Sequence, residues 1–191
     1  MNRKWIVMAG MALAGATLLQ GCGALVVGGA AVTAVMVSDR RTSGTYIEDE
    51  TIEWKVVNLM RNDFGSEHIN ATSFNRRVLL TGEAHTEEIK KRAEDAVRRI
   101  PNVKEVTNEL QVAGVSSFAS RGGDSLVTSN VKARMVNNGR FSPTHVKVLT
   151  ESGVVYLMGL VTPAEADAAV EIARTTSGVA RVVKVFEYLP S

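Results

Sequence analysis

From about residue 48 to its end, the 191-residue chain reads as an α+β protein built from two tandem units of one kind. Each unit is expected to run helix-strand-strand-helix-strand, with a small three-stranded sheet packed on two helices. Three observations predict this class. Ile52, Val56 and Met60 fall at i, i+4 and i+8, and Val127, Val131 and Met135 do the same, so two helices each carry one apolar face. EHINATSFNRRVLLTGEA corresponds to THVKVLTESGVVYLMGLV, with Ile69 opposite Val146, Leu80 opposite Leu157 and Gly82 opposite Gly159. A second helical pattern and a Val-rich strand follow each of these stretches, and a pattern repeated over this length marks a duplicated unit.

Each element has a local cause. The paired stretches break at Asn75 and at Ser152-Gly153, residues suited to tight turns, so each reads as a hairpin. TEEIKKRAEDAVRRI puts Ile89, Ala93, Ala96, Val97 and Ile100 on one helical face, and TPAEADAAVEIARTT does so with Ala166, Ala169, Val170 and Ala173. Thr162, Pro163 and Glu165 supply an N-cap, a first-turn proline and a capping-box acid. Asn102 and Gly178 follow these helices with residues that tolerate the left-handed conformation. VKEVTNELQV and VARVVKVFEYL are the closing strands. AGVSSFASRGGD, rich in Gly and Ser, reads as the joint. The expected units are 48–113 and 125–191 with a linker at 114–124, and units of about 65 residues are marginal on their own.

The amino terminus has a different character. MNRK is followed by the apolar stretch WIVMAGMALAGATLL and by Gly21, an order of charge, apolar run and small residue that predicts a secretory signal peptide over 1–21. Cys22, the single cysteine, cannot form an intrachain disulfide. Leu19-Gln20-Gly21-Cys22 resembles the lipobox of bacterial lipoprotein precursors, with Gln20 bulkier than the usual occupant. That resemblance implies cleavage before Cys22, a diacylglycerol on its sulfur and acylation of the new amino terminus; two or three acyl chains together hold a protein on a bilayer. Gly23 stands where Asp would favour the inner membrane, which implies the outer membrane. Residues 22–47 are read as a lipidated tether, with the Gly- and Ala-rich part 23–37 near the lipid surface. The alternative is an uncleaved transmembrane helix, because apolar residues continue to Val37.

The element order, the glycine before each second helix, the Asn-Val or Gly-Val pair after it and the Val-rich last strand resemble the BON domain, over about 50–113 and 125–189. A lipobox followed by two such units resembles the dual-BON outer-membrane lipoproteins. This resemblance implies an α/β sandwich per unit, a periplasm-facing place at the outer membrane, phospholipid binding and a part in keeping that membrane intact.

Composition narrows the function classes. Loss of Arg3 and Lys4 with the signal peptide reduces 22 basic residues to 20, equal to the 20 acidic ones. With no basic tail, zinc spacing or RNA-reading aromatic motif, nothing points to nucleic acid. His68, His85 and His145 lack an acidic or histidine partner at ligand spacing on a predicted helix and are read as surface or strand-end residues, so neither a metal nor a cofactor is expected. No serine has a Gly-x-Ser-x-Gly setting, and GCGALV lacks the third glycine of a dinucleotide loop, so an enzyme is not expected. Two classes remain: a lipid-binding envelope lipoprotein, or a non-enzymatic adaptor that docks on envelope or cell-wall proteins.

The first helices of the two units differ outside. With Val127, Val131 and Met135 turned to the core, the opposite side shows Leu126, Ser129, Ala133 and Val136, flanked by Lys132. Residues 124–140 carry Lys132, Arg134 and Arg140 against Asp124, a balance of +2, whereas residues 48–63 carry two basic and five acidic residues, a balance of −3. In the first unit the outward positions include Trp54, Asn58 and Arg61. Only the second helix suits an anionic phospholipid such as phosphatidylglycerol. Leu126, Ala133 and Val136 are expected to dip into the interface beside Ser129, with Lys132 and Arg140 meeting phosphates. The alternative is that Leu126 and Val136 pack on the first unit.

Overall fold

The computed structural model describes residues 39–114 and 116–190, the side chains of 118–120 excepted. The expected signal peptide over 1–21, Cys22 and the 23–37 tract therefore lie outside the described residues. Among those described, no helix is long and apolar enough to cross a membrane.

The first domain contains α1 (Ser43–Asp63), β1 (His68–Phe74), β2 (Arg77–Ala84), α2 (Glu87–Arg98), β3 (Glu105–Asn108) and β4 (Gln111–Val112). β1 runs antiparallel to β2, and β3 and β4 both run parallel to it. The single closing strand expected here is thus divided, and Asn108 is the cause. Its Oδ1 accepts from the Leu110 N–H at 3.2 Å, its Nδ2 donates to Lys90 O at 3.0 Å, and Leu110 drops into the core. A local side-chain bond of this kind competes with the strand ladder.

The second domain contains α3 (Phe118–Val136), a short 3-10 turn (Pro143–His145), β5 (Val146–Glu151), β6 (Val154–Val161), α4 (Pro163–Arg174) and β7 (Arg181–Tyr188). Its sheet has the order β5-β6-β7, antiparallel then parallel. The helix α3 starts at Phe118, so most of the stretch read as a linker is helical, Gly122 and Gly123 included. Each glycine disfavours a helix by about 1 kcal/mol relative to alanine. Tertiary bonding overrides this, because the buried Asp124 carboxylate accepts from the Ser152 and Gly153 N–H groups, both at 2.8 Å.

Asp49 does the same work in the first domain. It lies three residues before Ile52, as Asp124 lies three before Val127. Its carboxylate accepts from Asn75 N at 2.8 Å, Arg76 N at 2.7 Å and Ser73 Oγ at 2.7 Å. Both hairpin turns need positive φ at two positions, 52° and 64° at Asn75 and Arg76, 50° and 74° at Ser152 and Gly153. A buried acid from the first helix therefore pins each turn. Gly82 and Gly159 are also fixed by the fold, since a Cβ there would stand 2.0 Å and 2.3 Å from the carbonyl oxygens of His68 and His145. The expected Thr162–Glu165 capping box is present.

The tether also ends sooner than expected. Ahead of α1, Arg40 donates to both Glu165 carboxylate oxygens at 2.6 and 2.8 Å and to Leu160 O at 2.9 Å. Arg41 binds Asp49 at 2.7 Å and lies over the Phe74 ring, 4.0 Å from its centroid. These two arginines fasten the entering chain to both domains.

Side chains alternate along a strand, and the alternation explains how the domains join. Val78 and Leu80 enter the core of the first domain with Ile52, Val56 and Met60, while Val155, Leu157 and Val161 enter that of the second with Val131 and Met135. The intervening residues build a third core from both domains: Phe74 and Leu79 meet Val154, Tyr156, Met158 and Leu160. β6 is consequently buried along its whole length. The two sheets pack on each other with the helices outside, an arrangement that supplies each small domain with a second apolar face.

Candidate functional site

The outer face of α3 is open. Leu126 and Val136 are 68% and 65% exposed, and Ser129, Lys132, Ala133 and Arg140 are exposed as well. The domains meet through their sheets, so Leu126 and Val136 do not pack on the first domain. Val131 and Met135, on the opposite side of the helix, are fully buried. Large exposed apolar residues beside cations on one helix face are an interaction surface in need of a partner.

Arg134 does not share that role. Its guanidinium donates to Ile172 O at 2.8 Å and to Thr175 Oγ1 at 2.9 Å, which ties α3 to the end of α4. Lys132 and Arg140 remain, and neither has an ion-pair partner among the described residues. Arg140 is positioned by Asn138, whose Oδ1 accepts its backbone N–H at 2.7 Å and that of Phe141 at 3.2 Å. Leu126, Ser129, Ala133 and Val136 thus lie on the outer face of α3 with Lys132 beside them, and Arg140 follows four residues past the end of the helix, with one cation fewer than the charge count suggested.

The equivalent face of α1 is also apolar but acidic. Trp54 is 69% exposed, and with Tyr46, Ile47, Thr51 and Glu50 it lines an open groove of about 330 Å³.

All three histidines sit beside carboxylates, which helix spacing could not reveal because the partners come from strands and loops. His68 Nδ1 is 2.8 Å from Glu83, His85 Nδ1 is 2.8 Å from Glu67, and His145 Nδ1 is 3.4 Å from Glu165. One ligand atom from each of His68, Glu83 and Glu151 lies within 4.8 Å of the other two, the set among the described residues able to hold a metal. Burial pushes the Glu151 carboxyl up; the Asn70 hydrogen bond opposes this, and the charges of Glu83 and Asp124 reinforce it. At the other end of the interface the Arg40 hydrogen bonds bring Glu165 down to about 2 despite its burial. The Tyr156 hydroxyl is pushed up to about 12, first by burial.

The fold and this surface define a tandem module of two docked α+β domains, one of which offers an apolar and basic helix to the outside. Residues 48–114 and 123–190 each match the BON domain, and the chain belongs to the BON domain family. It is 46% identical over 181 residues to the outer membrane lipoprotein DolP of Haemophilus influenzae, covering 93% of this chain and 94% of that one. It is 36% identical over 154 residues to the 21 kDa hemolysin of Actinobacillus pleuropneumoniae, 79% of each chain. To the osmotically-inducible protein Y of Escherichia coli it is 28% identical over 144 residues, 73% of this chain and 72% of that one. None of these names is that of an enzyme. With a likeness that spans nearly both chains, the protein is an outer membrane lipoprotein carrying two BON domains.

Proposed function

We propose that this lipoprotein, held at the outer membrane through Cys22 and facing the periplasm, binds anionic phospholipid with the outer face of α3 and so helps maintain outer-membrane integrity without enzymatic activity. The carrying observation is the exposure of Leu126 and Val136 on α3, where Lys132 on the helix and Arg140 just beyond it have no ion-pair partner among the described residues. A surface helix gains from buried apolar area and from charge together. The anchor lowers the demand on that helix. Sixteen residues separate Cys22 from Asp39, a span of at most about 55 Å, so α3 meets the bilayer at high effective concentration and a weak contact suffices.

Leu126→Glu tests the reading. Flotation of the unlipidated chain with phosphatidylglycerol vesicles should drop at least about tenfold while the melting temperature stays within a degree or two, as for an exposed position. A fall in stability with binding intact would overturn it. The second reading, an adaptor for envelope proteins, is favoured by the acidic Trp54 groove on α1. Crosslinking in cells from Trp54 to a protein, with vesicle flotation absent, would select that reading.

A further inference from the structure

The interface repeats one pair of positions at its two ends, and only one end is apolar. The hairpin alignment makes Leu160 the equivalent of Glu83, Phe74 the equivalent of Glu151, and His145 the equivalent of His68. Phe74 and Leu160 lie in the interdomain core. At the other end the same two positions are Glu83 and Glu151, both buried, one from each domain. The duplicated module does not require carboxylates there, since its other copy uses a phenyl ring and a leucine.

The surroundings are built and polar. His68 Nδ1 lies 2.8 Å from Glu83 Oε2. Asn70 Nδ2 donates to Glu151 Oε2 at 3.0 Å and stands 3.4 Å from His68 Nε2. The Ser116 N–H donates to Glu83 Oε2 at 3.3 Å, and the buried Ser116 hydroxyl has no hydrogen-bond partner among the described residues. Two buried carboxylates with one imidazole carry excess negative charge whichever form the histidine takes, and Asp124 adds to the field at Glu151. Buried like charges persist when a proton or a cation compensates them. A divalent ion balances two carboxylates and a neutral imidazole.

We infer that His68, Glu83 and Glu151 form a binding site for a divalent transition-metal ion of the zinc type, complete only when the two BON domains are docked. One imidazole nitrogen and two carboxylate oxygens are ordinary zinc ligands, and a water fills the fourth position. Tetrahedral ligands about 2.1 Å from zinc stand roughly 3.4 Å apart, so donors now within 4.8 Å need only a small contraction. The imidazole and carboxylates bind the ion in their deprotonated forms, and any proton held at the ligand atoms passes to solvent. Its water lies within the polar setting that includes Ser116. Because Glu151 belongs to the second domain and the other ligands to the first, the ion clamps the sheets together.

The experiment titrates Zn²⁺ into the mature, lipidated full chain in detergent after removal of metal, against a chromophoric chelator, and follows melting in parallel. A single bound ion and a raised melting temperature are expected. Glu151→Gln and His68→Gln should each weaken binding at least about tenfold and abolish the melting shift, while His85→Gln, at the exposed His85–Glu67 pair, changes neither. Failure to bind a stoichiometric ion would overturn the proposal, as would binding that survives both Glu151→Gln and His68→Gln or that depends on His85. Two ligand variants are used so that a folded one, judged by its melting transition without metal, remains available. The lipid-surface reading is unaffected by either outcome.

Discussion

α1 and α3 are the same helix inside and different helices outside. Inside, each presents three apolar residues to its sheet and a buried aspartate to its hairpin turn. Outside, α1 is acidic around Trp54, and α3 is apolar and basic around Leu126 and Lys132. The inner face is constrained because a change there leaves a cavity or an unbonded N–H. The outer face carries no such penalty, so a duplicated domain can keep its fold while the two copies diverge in what they meet.

Breaking the inner face should give the largest effects, and unequal ones. Asp49 accepts from two turn N–H groups, the Ser73 hydroxyl and the buried guanidinium of Arg41, whereas Asp124 accepts from the Ser152 and Gly153 N–H groups. Asp49→Ala should cost about 3 kcal/mol, since it leaves two turn N–H groups and the Ser73 hydroxyl unbonded while Arg41 keeps its 2.6 Å pair with Asp39, and Asp124→Ala about 2 kcal/mol. Urea unfolding of the two variants measures the difference. Equal losses would mean that neither Ser73 nor Arg41 contributes through Asp49.

The pattern of the duplicated unit was legible because its signals are local: helical spacing, the capping box at Thr162, the left-handed residues Asn102 and Gly178. Features that depend on distant partners were not. Gly122-Gly123 looked like a joint, and the helix forms there because Asp124 is held from a distant turn. The partners of His68, His85 and His145 come from strands and loops, so no spacing along one helix could show them. The docking of the domains did leave a trace: β6, VVYLMGLV, lacks the polar alternation of a sheet with one wet face. Of the α3 surface, Leu126 and Val136 could be placed by helical angle alone, whereas the loss of Arg134 to the α4 terminus required the fold.

A smaller effect tests how the two domains are held to the entering chain. Glu165 is depressed to about 2 from its ordinary 4.5, chiefly by hydrogen bonds from Arg40. A depressed carboxyl stabilises the folded state above its unfolded value and loses that contribution as pH falls from about 4.5 to about 2. Arg40→Ala should therefore cost about 1 kcal/mol at pH 7, as a partly exposed bidentate pair does, and little at pH 2. The Glu165 carboxyl resonance should titrate closer to 4.5 in the variant. An unchanged midpoint would detach Arg40 from the docking of the second domain.

The outer faces should give the smallest change in stability and the clearest change in binding. Lys132→Gln or Arg140→Gln, by the lipid reading, removes about 1 kcal/mol of attraction to an anionic bilayer, roughly fivefold in vesicle affinity, with melting unaltered. Lys55→Gln on α1 should leave affinity as it was, because by the same reading α3 and not α1 meets the bilayer. Arg134→Gln sharpens the contrast further: its bonds to Ile172 and Thr175 make it part of the inner scaffold, so it should lower the melting temperature. The losses at Lys132 and Arg140 should shrink at high salt, where exposed charges are screened, while the Leu126→Glu loss persists because it removes apolar contact. A salt-insensitive Lys132 effect would mean that this residue meets something other than a charged headgroup layer.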